Sequence, residues 1–221
     1  MSEPAIDYRV RRSDRARRVR VRVDPEHGVE VVLPRRAAER EAAAAIRELR
    51  PWIERRIAEL ERTRALVAAR GASVPYLGGA LELVFERGRT RVHQRGLTLL
   101  VPGGDADHRP ALERWFRRRA HAEIAPRLDA ATAAVGTSYA GLTIRGQRTR
   151  WASCSTSGAM SFNWRLLLAP APVLDYVVWH EVCHLEVHDH SPRFWALLGE
   201  RWPAYREHAA WLRRHGATLV L

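Results

Sequence analysis

Two histidines four residues apart, with a glutamate directly after the first, stand in the apolar stretch Val177-Val178-Trp179-His180-Glu181-Val182-Cys183-His184-Leu185. On an α-helix of about 3.6 residues per turn, His180 and His184 project from one face, one turn apart. Two neutral imidazoles at that spacing can grip one zinc ion, and Glu181 beside it can take a proton from a water that the metal activates. The apolar flanks suit a helix buried behind an active site. Two hydrogen-bonded core histidines and a surface glutamate are the bland alternative.

A hydrolytic zinc ion takes a third protein ligand and keeps one position open. His188 continues the stripe of His180 and His184, but at a helical rise of about 1.5 Å per residue it sits about 12 Å along the axis from His180. His190 would face the wrong way on an unbroken helix. The helix must therefore end first, and Ser191-Pro192 reads as the N-cap and first position of the next one. His190 then lies in the turn and is free to swing back, which makes it the preferred third ligand. His188, Glu200 and Glu207 are the alternatives.

The elements that must position these groups lie on either side. Residues 142–145 read as a strand. Residues 147–155 and 159–165 read as an antiparallel hairpin around Thr156-Ser157-Gly158. An extended edge beside a metal offers a peptide substrate backbone pairing; otherwise the hairpin only packs the helix, with Trp151 and Trp164 as core. Residues 191–200 and 204–214 read as two short helices, with Phe194, Trp195, Leu198, Trp202, Trp211 and Leu212 packing beneath the metal. Tyr205 and Arg193 are candidates for steadying a developing oxyanion. Cys183 points about 100° away from His184 and reads as a small apolar residue. Cys154 has no base beside it in sequence and is not read as a nucleophile.

Four motifs occur in order: Trp151-Ala152-Ser153-Cys154-Ser155, Asn163-Trp164-Arg165-Leu166, His180-Glu181-Val182-Cys183-His184-Leu185, and His190-Ser191-Pro192-Arg193-Phe194-Trp195. Together they resemble the YgjP-like metallopeptidases, relatives of the WLM and SprT-like zinc peptidases. The resemblance implies His180, His184 and His190 as zinc ligands, Glu181 as the catalytic residue and a protein or peptide substrate. Ala152 stands where that family usually has glycine. The histidine spacing also equals that of the metzincins, but Val187 replaces their glycine.

The rest of the chain carries scaffold and charge. Residues 18–23 alternate arginine and valine, so a strand with two unlike faces is expected, paired through a turn at residues 24–28 with a second strand over residues 29–33. Eight arginines fall from Arg9 to Arg22 with only Asp14 against them, a candidate contact for nucleic acid or merely a solvated face. An amphipathic helix follows to about residue 70, with Ile46, Leu49, Ile53, Ile57 and Leu60 at spacings of three and four and Pro51 as an expected kink. Residues 71–79 read as a loop. Residues 81–85, 90–94 and 97–101 read as a small antiparallel meander closed by Pro102-Gly103-Gly104-Asp105, and residues 110–135 as a second helix.

The fold class expected is α+β: a zincin-like metallopeptidase core in residues 105–221, with an active-site helix, a flanking antiparallel hairpin and C-terminal helices. A region of small antiparallel β structure plus helix, residues 1–104, precedes it. All 37 basic residues are arginine and the formal charge is +12, which points to polyanionic partners or to codon bias. Two distant cysteines, no apolar leader and no apolar run long enough for a bilayer predict a soluble, cytoplasmic protein without membrane contact. The activity read here is zinc-dependent peptide hydrolysis. A metal-dependent nucleotide phosphoanhydride hydrolase and a nucleic-acid-associated, SprT-like protease, tethered through the arginine-rich hairpin, are the alternatives.

Overall fold

The computed structural model describes residues 5–24, 27–104, 107–147 and 149–221. Pro25 and Glu26 of the expected first turn, Asp105 at the expected boundary and Arg148 of the expected hairpin lie outside the described residues. The chain divides into two compact units, Met1–Ala68 and Ala69–Leu221.

In the first unit, β1 (Tyr8–Ser13), β2 (Arg20–Asp24) and β3 (Gly28–Pro34) form a sheet in the order β1-β3-β2. The expected hairpin is β2 against β3, antiparallel. The sheet is not wholly antiparallel, because β1 joins β3 in parallel. An arginine-laden strand such as Tyr8-Arg9-Val10-Arg11-Arg12 shows little local strand pattern, and its partner lies some twenty residues on, so its pairing is a non-local event. Helix α1 (Glu39–Ala68) runs through Pro51 as one continuous α-helix. Val29, Val31 and Leu33 of β3 pack with Ala42, Ile46 and Ile53 of α1. Leu49, expected in the same stripe, is exposed.

The second unit opens with β4 (Ser73–Tyr76), β5 (Gly79–Glu86), β6 (His93–Arg95) and β7 (Thr98–Pro102), ordered β4-β5-β7-β6. The expected meander is corrected here: β5 and β7 are parallel neighbours and β6 lies outside them. The segment read as a loop contains β4, whose Val74 is buried opposite Leu81. Next come α2 (Arg109–Ala134), β8 (Gly141–Arg145), β9 (Ala152–Cys154), β10 (Ala159–Asn163) and a 3-10 turn, Trp164–Leu168. The helices α3 (Ala171–Cys183), α4 (Pro192–Arg201) and α5 (Tyr205–His215) complete the unit. The fold is thus mixed α+β, with small sheets and five α-helices among the described residues.

One core joins these elements. Phe116, Ile124 and Leu128 of α2, Met160 and Phe162 of β10, Trp164 and Leu166 of the 3-10 turn, Leu174, Val178 and Val182 of α3, and Phe194 and Leu198 of α4 are all buried in it. Leu81, Leu99 and Val101 of the first sheet belong to the same cluster. A division at residues 104/105 therefore falls inside this unit, because β4–β7 bury their apolar face in the same core as α3. Sheet β8-β10-β9 holds β10 between a parallel and an antiparallel neighbour, so the expected hairpin is present as β9 and β10, and β9 is left as an edge beside α3. No helix among the described residues is long and apolar enough to cross a membrane.

Phe162 is wholly buried, and removing its ring opens a cavity under the hairpin. Phe162→Ala is expected to cost about 3–5 kcal/mol, read as a lower midpoint in chemical denaturation.

Candidate metal centre

Helix α3 starts at Pro170 and Pro172, where a missing backbone donor costs nothing. Most of its circumference is apolar and buried: Val173, Leu174, Tyr176, Val177, Val178 and Val182. Such a helix is sunk in the core and leaves only a narrow window for polar groups. His180 and Glu181 occupy it.

The helix ends at Cys183, well before Ser191, and His184 is its C-cap, still in the right-handed region at φ −68 and ψ −14. The turn closes with i→i−3 bonds, from His184 N–H to the Glu181 carbonyl and from Leu185 N–H to that of Val182, both 3.1 Å. Buried Val187 pins the exit. Its carbonyl takes a hydrogen bond of 3.0 Å from His184 Nδ1. That bond places the proton on Nδ1 and leaves the Nε2 lone pair of His184 free for a cation. Asp189 Oδ1 then accepts from the Ser191 N–H at 3.1 Å, and α4 starts with Ser191 at its N-cap and Pro192 at N1, though without a side-chain cap bond.

The early helix end lets His190 return. Its Nε2 lies 3.0 Å from His180 Nε2, and one ligand atom from each of His180, His184 and His190 lies within 4.8 Å of the others. Two nitrogens bound at about 2.0–2.1 Å to one tetrahedral ion sit about 3.3 Å apart, so the spacing is already close to that of ligands. Phe194, fully buried, floors the cluster. It stacks on His184 at 4.4 Å between ring centroids and meets His180 at 4.9 Å and His190 at 4.8 Å.

Electrostatics favour a cation here. Burial, then the neighbouring His184 and His190, push the His180 pKa down to about 3, and burial also lowers that of His184. Both rings are neutral at pH 7, the form that binds metal. Burial pushes Glu181 up to about 8, against a backbone hydrogen bond from Cys154. Glu181 Oε2 and His180 Nδ1 are buried without a partner. Three converging imidazoles beside an unpartnered buried carboxylate oxygen suit a divalent cation in donor type.

Of the other sequence candidates, His188 is exposed, and neither it nor Glu200 or Glu207 joins the histidine cluster. Tyr205 stacks on Trp195 at 5.7 Å and its hydroxyl accepts from Arg206 Nε at 3.0 Å. Arg193 is exposed, with Asp189 as its charged neighbour. Cys183 is buried. Cys154 is held as a thiol, its pKa raised to about 11 by burial and by Glu181. Trp164 is core as expected, whereas Trp195 is partly exposed beside His190. Tyr176 went unnoticed in the sequence. With Arg150, Trp151, Ala152, Val177 and Leu212 it lines a pocket of about 290 Å³ that reaches His180 and Glu181. Its signal was its place four residues before His180, on the same helix face.

Metal content separates the third ligand from its rival: His190→Ala is expected to lower zinc affinity at least tenfold by equilibrium dialysis, and His188→Ala to leave it unchanged. The carboxylate is tested by pH. The folded pKa of Glu181 is raised above its unfolded value of 4.5 to about 8. Its contribution to the stability of metal-stripped protein is therefore full below pH 4.5 and is lost as pH rises through about 8. Glu181→Gln is expected to remove about 2–4 kcal/mol of that decline, measured by denaturant melts across this range.

Residues 17–215 match the family described as YgjP-like, metallopeptidase domain. A search of the curated proteins found no match. Among solved structures, the crystal structure of the metallopeptidase zymogen of Pyrococcus abyssi abylysin aligns with a TM-score of 0.38 and 20% identity, over 41% of this chain and 93% of that one. The family match spans all but the ends of the chain and includes His180, Glu181, His184 and His190, and on that extent the chain belongs to the YgjP-like metallopeptidase family.

Proposed function

We propose that this metallopeptidase is a zinc enzyme that hydrolyses peptide bonds, with His180, His184 and His190 holding the ion and Glu181 as general base. The observation that carries the reading is the convergence of three imidazoles on one point, with a buried carboxylate on the same helix. Bound zinc would supply a water acidified to near pH 7 and Lewis-acid polarisation of the scissile carbonyl.

The chain's own residues do the rest. Glu181 projects from the helix that carries His180, and its carboxylate is steadied by the Cys154 backbone. Its unpartnered Oε2 is placed to accept a proton from the attacking water and return it to the leaving amine. The His184–Val187 bond keeps one imidazole in its ligating tautomer throughout.

Strand β9 offers the substrate a guide. The Trp151 carbonyl and the Ser155 N–H point toward β10, pairing with Asn163 at 2.7 Å and Ala159 at 2.9 Å. By strand alternation the backbone groups of Ala152 and Cys154 face outward, and the Cys154 N–H serves Glu181. The outward groups of Ala152 are left for an extended peptide to pair with. A substrate side chain can then enter the pocket lined by Trp151, Val177 and Leu212. This is a zincin-like arrangement of active-site helix, edge strand and third ligand.

Glu181→Gln is expected to keep one zinc per chain by elemental analysis and to lose about 10²–10⁴-fold in kcat/KM on a quenched peptide library. His184→Ala is expected to lose the metal. Undiminished hydrolysis by Glu181→Gln would overturn the mechanism. Zinc-loaded protein that cleaves nucleoside triphosphates but no peptide would replace the substrate class.

A further inference from the structure

The first unit carries a charge pattern that the metal centre does not use. From Arg9 to Arg22 there are eight arginines and one acid, whereas α1 in the same unit holds seven arginines and six glutamates. The helix pairs them along its surface, as in Arg50–Glu54 at 3.0 Å and Arg56–Glu59 at 2.8 Å. A genomic preference for arginine acts on both segments alike. It decides which basic residue is used, not the ratio of base to acid, so the surplus in β1, β2 and their connection has another cause.

Register places four of those eight arginines on one face. Arg9, Glu30 and Arg22 form one cross-strand row of β1-β3-β2, and Arg11, Val32 and Arg20 form the next. Directly opposed residues share a face, and the other face packs on α1 through Val29, Val31 and Leu33. Glu30 is buried and leans toward β1, 3.1 Å from Arg9 and 3.4 Å from Arg11. Asp24, at the end of the face, is engaged by His27 at 3.0 Å. Among the described residues Arg17, Arg18, Arg20 and Arg22 are exposed and carry no ion pair. Arginines two apart on a strand stand about 6.7 Å apart, and β1 and β2 flank β3 at about 9.6 Å. The result is a two-by-two array of arginine side chains on one sheet face, with Arg17 and Arg18 in the connection beside it.

We propose that this face binds the phosphate backbone of nucleic acid. Guanidinium forks take phosphate oxygens two at a time, and a repeating array suits a repeating polyanion. An anionic membrane fits less well, because surface binding of a bilayer needs apolar groups to insert, and Val32, the apolar residue within the array, is buried. Contacts to phosphate carry no sequence information, so binding is expected to be insensitive to base sequence.

The test is fluorescence anisotropy of the full-length protein with labelled duplex DNA and with single-stranded RNA of about 20 nucleotides, titrated across sodium chloride from about 50 to 200 mM. R17Q/R18Q/R20Q/R22Q leaves the Glu30 pairs intact; it is expected to weaken binding at least tenfold and to make the log–log salt slope on duplex shallower by about 3–4. The α1 variant R40Q/R47Q/R55Q/R62Q, with the same change in net charge, is expected to stay within about twofold. If the first variant does not fold by circular dichroism, R20Q/R22Q takes its place with a slope change of about 2. Whichever probe binds tighter identifies the form of nucleic acid. No binding at the lowest salt overturns the proposal, as do equal losses in the two quadruple variants. Phosphatidylserine vesicles that bind as well, with the same sensitivity to the sheet substitutions, would assign the face to membranes instead.

Discussion

The histidine cluster depends on where α3 stops. Had the helix continued past Cys183, His184 would keep its place but Val187 could not turn its carbonyl back to His184 Nδ1, and His190 would be carried away from His180. The helix ends without glycine: His184 keeps right-handed dihedrals and the last carbonyls are satisfied by i→i−3 bonds. Val187 supplies the reason to turn, since it is buried and accepts the bond that sets the tautomer of His184. One short connection therefore ends the helix, orients the second histidine and delivers the third.

Burial around this connection works against its own polar groups. Burying Glu181 and most of His180 raises one pKa and lowers the other, so each is held in its neutral form when no cation is present. A divalent ion held by His180, His184 and His190 would reverse the balance for the carboxylate and take up the imidazole lone pairs. The unpartnered Oε2 and Nδ1 are a cost the apolar core sustains, supported by Phe194 beneath all three rings and by the wholly buried α3 residues Leu174 and Val182. The burial that leaves these atoms unpartnered also keeps His180 and His184 neutral, the form of imidazole that binds metal.

What the sequence made legible follows from how local each constraint is. His180 and His184 were readable because one helical turn fixes their relation whatever surrounds them. His190 was readable in outline, since Pro192 demands a new helix start, but the true break at Cys183 is not encoded by any proline or glycine and came from Val187 finding the core. β2 announces itself by strict alternation, and β3 by the turn that leads into it. The parallel pairings of β1 with β3 and of β5 with β7 do not, because parallel pairing joins segments with no turn between them, and so local pattern suggests a meander with the wrong strand order. β4 reads as loop in the sequence because its four residues carry no alternation of their own, and its pairing with β5, Val74 opposite Leu81, makes it a strand. Tyr176 and Arg150 are brought to the pocket by two elements packing together, and neither carries a motif.

The boundary between the halves shows the same limit from the energetic side. Glycine and proline after Pro102 suggest a linker, yet a linker separates domains only if each side can close its own core. β5 and β7 cannot: their inward residues Leu81, Leu99 and Val101 are buried in the same cluster as Phe116, Phe162 and Leu174. The first unit can, because β3 and α1 bury Val31, Leu33 and Ile53 against one another. Division thus follows core closure rather than punctuation, and it leaves the arginine-bearing sheet and the histidine cluster in different compact units of the chain.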